Sequence, residues 1–175
     1  MMKIFYPRCC FKSFLDVKPS FLKSLGIKAV LVDLDNTIVR RDAAQFTPQA
    51  REWVMSLLSE GLKVAIISNN SRRRVGHLAR QVGVPAVHRA VKPLSAPFKK
   101  ALALLGTKPG ETALVGDQIF TDILGGNLAG LYTILVEPLP GKEFLGTRLI
   151  NRPLEKLVLA RIKKSRLEVK NGAGD

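Results

Sequence analysis

Residues 29–37 read Ala-Val-Leu-Val-Asp-Leu-Asp-Asn-Thr, and this stretch decides the fold. An unbroken apolar run ended by a polar cluster is the pattern of a strand buried on both faces, whereas a strand with one wet face would alternate. Runs at 63–68, 112–116 and 132–136 have the same character, and 86–88 is a weaker run that falls third along the chain, so the expected count is five strands. Helical segments fill the gaps. Thr47 and Pro48 open one over 49–60 that Gly61 closes, and Asn70 or Ser71 caps another reaching Val82 before Gly83. Ser95 starts a third that ends at Leu105 before Gly106, and 120–129 forms a fourth before Gly130. Strand and helix alternating with short connections implies right-handed crossovers. The expected architecture is α/β, a Rossmann-like open parallel five-stranded sheet flanked by helices.

With 175 residues the chain has the length of one ordinary domain, and 46% hydrophobic against 24% charged residues is a globular balance. Charge is the outlier: 28 Lys and Arg against 14 Asp and Glu leave a formal net charge of +14. That favours an anionic partner, whether lipid headgroups, nucleic acid or a phosphorylated substrate. Cys9 and Cys10, the only cysteines, are adjacent, which suits neither a long-range disulfide nor a zinc site and fits a reducing, cytoplasmic setting. No apolar run approaches the roughly 18 residues of a spanning helix, and Pro7, Arg8 and Lys12 interrupt any signal-peptide core, so neither secretion nor a transmembrane span is expected.

The chemistry lies in the polar clusters that follow the strands. Asp33-Leu-Asp-Asn-Thr37 follows the first, Ser68-Asn-Asn70 the second, and Gly116-Asp-Gln-Ile-Phe-Thr-Asp122 the fourth. Ligands in such sheets bind outside the carboxyl ends of the strands, so all three clusters share the functional edge. Asp33 and Asp35, two apart, project to one side of an extended chain. A hard cation such as magnesium relieves the repulsion of close carboxylates, and Asp33, the carbonyl of Asp35 and Asp117 would hold it together with a substrate phosphate oxygen. Asp33 is then placed to attack phosphorus and form an aspartyl-phosphate, while Asp35 protonates the leaving oxygen and later activates water. Ser68, Asn69 and Lys92 supply donors and positive charge for the transferring group.

Asp33-Leu-Asp-Asn-Thr37 resembles the first motif, D-x-D-x-T, of the haloacid dehalogenase-like (HAD) hydrolases. The resemblance implies Ser68 as the phosphate-binding hydroxyl, Lys92 of Lys92-Pro93 as the phosphate-facing cation, and Asp117 and Asp122 as the acidic metal end. Four motifs in order, each after the element that should hold it, are far more specific than one short acidic pattern. Neither the gap from Asp35 to Ser68 nor that from Ser68 to Lys92 has room for a large cap domain. The chain is therefore similar to subclass IIIA and to the bacterial YqeG family, itself similar to mitochondrial phosphatidylglycerophosphate phosphatases. That likeness implies hydrolysis of phosphatidylglycerophosphate to phosphatidylglycerol. Two alternatives stand beside it: a phosphatase for another large anion, such as a nucleic-acid end or a phosphoprotein, and a non-catalytic basic adaptor for RNA or ribosomes. Nucleic acid ranks below phospholipid as the partner.

The expected division is a basic aromatic arm over 1–28, the phosphatase core over 29–150, and a basic helix with a frayed tail over 151–175. The arm interleaves Phe5, Tyr6, Phe11, Phe14 and Phe21 with Lys3, Arg8, Lys12, Lys18, Lys23 and Lys28. This is the composition of a peripheral membrane-binding segment and equally of an arm packed on the core. Leu154, Leu157, Val158 and Ile162 share one face of the last helix. Arg72, Arg73 and Arg74 begin the helix after Ser68, where they oppose its dipole, and read either as a solvated face or as a second anion site. His77 and His88 lack metal-ligand spacing. Gly125 and Gly126, inside an expected helix, point to a kink or close backbone packing.

Overall fold

The computed structural model describes residues 2–140, so the expected C-terminal helix and tail lie outside the described residues. The sheet has six strands, all paired parallel: β1 Cys9–Phe11, β2 Ala29–Val32, β3 Lys63–Ile67, β4 Ala86–Val87, β5 Thr112–Gly116 and β6 Tyr132–Val136. Their order is β1-β6-β5-β2-β3-β4. The first-quoted run is the central strand β2, hydrogen-bonded on both sides to β5 and β3, and every one of its residues is buried. Its continuous apolar character follows from that position, because no face is left to water.

Side chains alternate across the strands and feed two cores. Val30, Val32, Val64 and Ile66 face α2 Pro48–Ser59 and α3 Arg72–Val82, meeting Trp53, Leu57, Val75 and Leu78. Leu31, Ala65, Ile67 and Leu114 face the other way, onto Phe98 and Leu102 of α4 Ser95–Leu105. The helix boundaries follow local chemistry. Thr47 Oγ1 accepts from Ala50 N at 3.2 Å and Ser71 Oγ from Arg74 N at 3.4 Å, while α3 closes on Gly83 at φ +68°, a left-handed conformation that glycine adopts without a Cβ penalty.

Two departures from the sequence expectation matter. The sheet gains a sixth strand, because three arm residues pair with β6 in the register Cys9↔Ile134, Cys10↔Leu135 and Phe11↔Val136. A three-residue edge strand among basic residues has too little periodicity to be seen in isolation. The arm's rings are packed on the domain: Phe14 meets Trp53 edge-on at 5.3 Å, Phe11 meets Phe21 at 5.4 Å and Phe5 meets Phe120 at 5.7 Å. Trp53 Nε1 donates to the Val17 carbonyl at 2.9 Å, and Asn127 Nδ2 donates to the carbonyls of Ile4 and Tyr6 at 2.7 and 3.0 Å.

The expected helix over 120–129 is split. Ile119–Ile123 forms a widened π turn that runs into a short α5, Leu124–Leu128. The turn carries Asp122 back toward β5, where its carboxylate occupies the space that a Cβ on Gly116 would need. Gly125 and Gly126 then let α5 approach closely: a Cβ at Gly125 would lie 2.6 Å from the Phe98 ring, and one at Gly126 would lie 2.6 Å from Thr133 Cγ2. Gly125→Ala is therefore expected to lower stability by about 1–3 kcal/mol through overpacking. Gly110→Ala, with nothing within 4 Å of its Cβ position, is the control and should leave the Tm nearly unchanged. Thermal denaturation of the two variants reads the contrast, and equal Tm values would contradict the close packing.

Candidate active site

Asp33, Ser68 and Asp117 each stand one residue beyond the end of three adjacent strands, β2, β3 and β5. Parallel strands in register end together, so these three positions converge as the chain leaves the sheet. The ladder carries on briefly: Asp33 N donates to the Val115 carbonyl at 2.9 Å and Ser68 N to the Val87 carbonyl at 2.9 Å. Lys92 arrives from the loop after β4, which is hooked to the Ser68–Asn70 turn by three bonds. Arg89 N donates to the Asn70 carbonyl at 2.9 Å, Ala90 N to the Ser68 carbonyl at 3.0 Å, and Lys92 N to Asn69 Oδ1 at 2.8 Å. These bonds hold Arg89 and Val91 at φ +48° and +51°, a region that a β-branched residue adopts only when its surroundings impose it.

Lys92 is the hub. Its ammonium lies 2.5 Å from Asp33 Oδ1 and 2.5 Å from Asp122 Oδ1, and it donates to the Ile67 carbonyl at 3.3 Å, so its three protons meet three chain oxygens. Asp122 is fixed on its other side, where Oδ2 accepts from Gln118 N at 3.1 Å. Thr37 Oγ1 donates to Asp117 Oδ1 at 2.8 Å and sits 3.2 Å from Asp33 Oδ2. A hydroxyl has one proton to give, so it cannot donate to both carboxylates at once. Burial pushes the Asp33 carboxyl up to about 8; Lys92 pulls it down, and the charges of Asp122 and Asp117 raise it again. For Lys92, burial works against the charge, but Asp122 and Asp33 outweigh it and hold the ammonium protonated above the ordinary lysine range.

Asp35 turns away from this group. Arg74 Nε donates to its Oδ1 at 2.9 Å, with the second guanidinium nitrogen at 2.8 Å, and Asn70 Nδ2 donates to its Oδ2 at 2.8 Å. Arg74 also donates to the carbonyls of Ala43 and Arg40 at 2.6 and 3.1 Å, tying α3 to the loop after Asp35. That loop turns at Asn36, whose φ of +65° suits asparagine, and its Oδ1 accepts from Arg41 N at 3.0 Å. A cavity of about 410 Å³ opens above the group, with Asp33, Asp35, Ser68, Asn69, Lys92 and Arg41 on its walls.

All the residues expected from the sequence thus gather at one edge, but in two sets. Asp33, Asp117 and Asp122 each offer a carboxylate oxygen within 4.8 Å of the others, all three buried, while the Asp35 carboxylate belongs to Arg74 and Asn70. Three buried carboxylates against one buried ammonium leave the cluster short of positive charge, and the donors are all hard oxygens. The cluster fits a hard divalent cation on both counts. The sequence suggested Asn70 only as a helix cap and Arg74 as a solvated face or anion site; it did not show that both bind Asp35 or that Thr37 binds Asp117. For Arg74 the signal was present, a cation placed against the helix dipole, but helix phase decides which of three consecutive arginines reaches Asp35. His77 pairs with Gln81 at 3.0 Å, and neither histidine lines the cavity.

The sequence profile of haloacid dehalogenase-like hydrolases matches residues 7–130. The chain is 36% identical over 164 residues to the probable phosphatase YqeG of Bacillus subtilis, spanning 94% of this chain and 95% of that protein. It is 28% identical over 152 residues to phosphatidylglycerophosphate phosphatase 1, chloroplastic/mitochondrial, of Arabidopsis thaliana, spanning 82% of this chain and 43% of that longer protein. Among solved structures, the cobalt-bound deoxy-D-mannose-octulosonate 8-phosphate phosphatase of Haemophilus influenzae superposes with a TM-score of 0.54 at 16% identity. It covers 79% of this chain and 90% of its own, a likeness of fold.

Asp33 binds a proton more tightly folded than unfolded, between its ordinary 3.8 and about 8. Its contribution to the stability of the metal-free protein therefore falls as pH rises through that window, because the folded state must then either keep the proton or bury the charge. The Tm of metal-free protein minus that of Asp33→Asn is expected to decline from pH 5 to pH 8, and the Tm gain on adding magnesium to grow over the same interval. Thermal scans with and without metal measure both trends. A difference that rises with pH would contradict the buried-carboxylate assignment.

Proposed function

The chain belongs to the haloacid dehalogenase-like hydrolases and is a phosphatase of that family, and from that premise we propose a magnesium-dependent enzyme that hydrolyses phosphate monoesters through an aspartyl-phosphate on Asp33. The observation that carries this reading is the buried trio Asp33, Asp117 and Asp122, held around Lys92 at the floor of an open cavity. Asp33 attacks phosphorus as the ester P–O bond breaks, and Asp35 protonates the departing alcohol oxygen. Water then attacks the aspartyl-phosphate and gives a proton to Asp35, restoring Asp33 and releasing inorganic phosphate.

Lys92 keeps Asp33 oriented and offsets its charge, while Ser68 and Asn69 face the cavity where the phosphoryl oxygens would sit. Arg74 and Asn70 fix the rotamer of Asp35. Magnesium, which Asp33 and Asp117 would hold with the Asp35 carbonyl and Asp122 close by, supplies neutralising charge for the carboxylates and the phosphate.

The substrate we propose is phosphatidylglycerophosphate, cleaved to phosphatidylglycerol. The activity named for the Arabidopsis relative supports it, as does the mouth of the site. Among the described residues only α2, β3 and their loops separate Asp35 from Ser68, and only α3 and a two-residue strand separate Ser68 from Lys92, so no large cap closes the cavity. Val91 and Leu94, which bracket Lys92 and Pro93 in sequence, are 61% and 60% exposed. Two exposed apolar side chains in the loop that delivers Lys92, with Arg41 on the cavity wall, suit a lipid whose phosphate enters while its acyl chains stay in the bilayer. Peripheral association with the inner face of the membrane would bring enzyme and substrate together.

Asp33→Asn is expected to lower turnover of a generic soluble phosphomonoester on the order of 10⁴-fold or more, and Asp35→Asn by roughly 10²–10⁴-fold. Steady-state assays with and without magnesium measure both, and full activity in Asp33→Asn would end the aspartyl-phosphate mechanism. With phosphatidylglycerophosphate in anionic vesicles as substrate, wild-type protein should release inorganic phosphate, and replacing Val91 and Leu94 by Ser should slow this more than it slows cleavage of a soluble ester. If the lipid is untouched while soluble esters are cleaved, the substrate assignment falls and the phosphatase stands.

A further inference from the structure

A second cavity, of about 440 Å³, adjoins the first, and Ser71 stands on the walls of both. Its lining includes Arg73, His77 and Arg80, which follow one another at i, i+4 and i+7 and so form a single stripe along α3, about 10 Å long at 1.5 Å per residue. Gly76 lies in the same stripe, and the nearest atom to its Cβ position is an Arg80 guanidinium nitrogen at 3.8 Å, so no side chain blocks the run between the two arginines. Ala44 closes the opposite wall with a small residue.

Among the described residues the charges on this stripe meet no carboxylate. Arg74, its neighbour on the helix, is bound to Asp35, whereas Arg73 and Arg80 have no acidic partner among the described residues. Arg73, in the first turn of α3, opposes the helix dipole, whereas Arg80 stands in the last turn, where the dipole favours it. An anion in the cavity would offset both charges, and the guanidinium fork fits phosphate oxygens in pairs.

We infer that this cavity is a second phosphate subsite, in which Arg73 and Arg80 bind another phosphate group of the substrate while its terminal monoester lies against Asp33. Because the two cavities share a wall at Ser71, the spacer joining the two phosphates is short, of the size of one glycerol unit. The inference deepens the proposed function, since it selects substrates with a phosphodiester one glycerol away from the scissile ester. It also supplies a specificity that an uncapped site otherwise lacks.

The test is separable from the choice of substrate. Inhibition of p-nitrophenyl phosphate hydrolysis by propane-1,3-bisphosphonate is compared with inhibition by propylphosphonate, in wild type and in the double variant Arg73→Gln, Arg80→Gln. Wild type should bind the bisphosphonate at least about 10-fold more tightly than the monophosphonate, the worth of a charge-assisted contact. In the double variant the ratio should fall to about two, the statistical value for two equivalent ends, and Arg73→Lys, Arg80→Lys should restore part of it. A wild-type ratio near two, or a ratio unmoved by the double substitution, overturns the subsite whatever the substrate proves to be. A second arm uses phosphatidylglycerophosphate diluted into neutral or into anionic vesicles. A defect of the double variant in both shows that the second phosphate belongs to the substrate itself, and a defect confined to anionic vesicles shows that it belongs to neighbouring lipid and overturns the intramolecular assignment.

Discussion

The Lys92 ammonium, buried between the carboxylates of Asp33 and Asp122, is the interaction on which the rest of this site depends. A lone charge in that environment would be prohibitively costly, and removing one partner of such a group leaves the others uncompensated. The surrounding structure is arranged to make the contact unavoidable. The loop after β4 is bonded into the Ser68–Asn70 turn, which brings Lys92 inward, and the π turn before α5 swings Asp122 under β5. Gly116 supplies the missing Cβ that lets the carboxylate in. The carboxylates of Asp33 and Asp122 and the ammonium between them are thereby held at fixed spacing.

Around that hub the polar groups divide by task. Asp117 and Thr37 complete the buried cluster, whereas Asp35 is held apart by Arg74 and Asn70. In the mechanism we propose the separation has a use: Asp35, which would exchange protons with alcohol and water, stands outside the field that fixes Asp33. Arg74 extends the arrangement outward, since the same guanidinium that orients Asp35 also binds two carbonyls of the Arg40–Ala43 turn.

Much of this was legible in the sequence, for reasons that can be named. The central strands announced themselves because burial on both faces requires continuous apolar runs, and Asp33, Ser68 and Asp117 could be placed because each follows such a run at once. Thr47, Ser71, Gly83 and Gly106 mark helix ends through bonds or backbone angles that involve only near neighbours. What escaped depends on contacts between distant segments. Cys9–Phe11 is a strand only because β6 is beside it, and Asp122 leaves helical register only because its carboxylate bonds Gln118 N and Lys92. The arm's composition fitted a lipid surface and a protein core alike, and its rings lie against Trp53, Phe21 and Phe120.

The edge strand also bears on how the molecule is made. Cys9 and Ile134, partners in the β1–β6 ladder, lie at opposite ends of the described chain, and the central strand β2 waits for β5 across an equally interrupted path. During synthesis β1 leaves the ribosome before every other described strand and is the last of them to find its neighbour, so its backbone edge, between the aromatics Phe5 and Phe14, stays unpaired until translation has passed β6. Closing such distant pairs is slow and leaves time for misassociation, which gives Lys3, Arg8 and Lys12, spaced among those aromatics, a solubilising task during biogenesis.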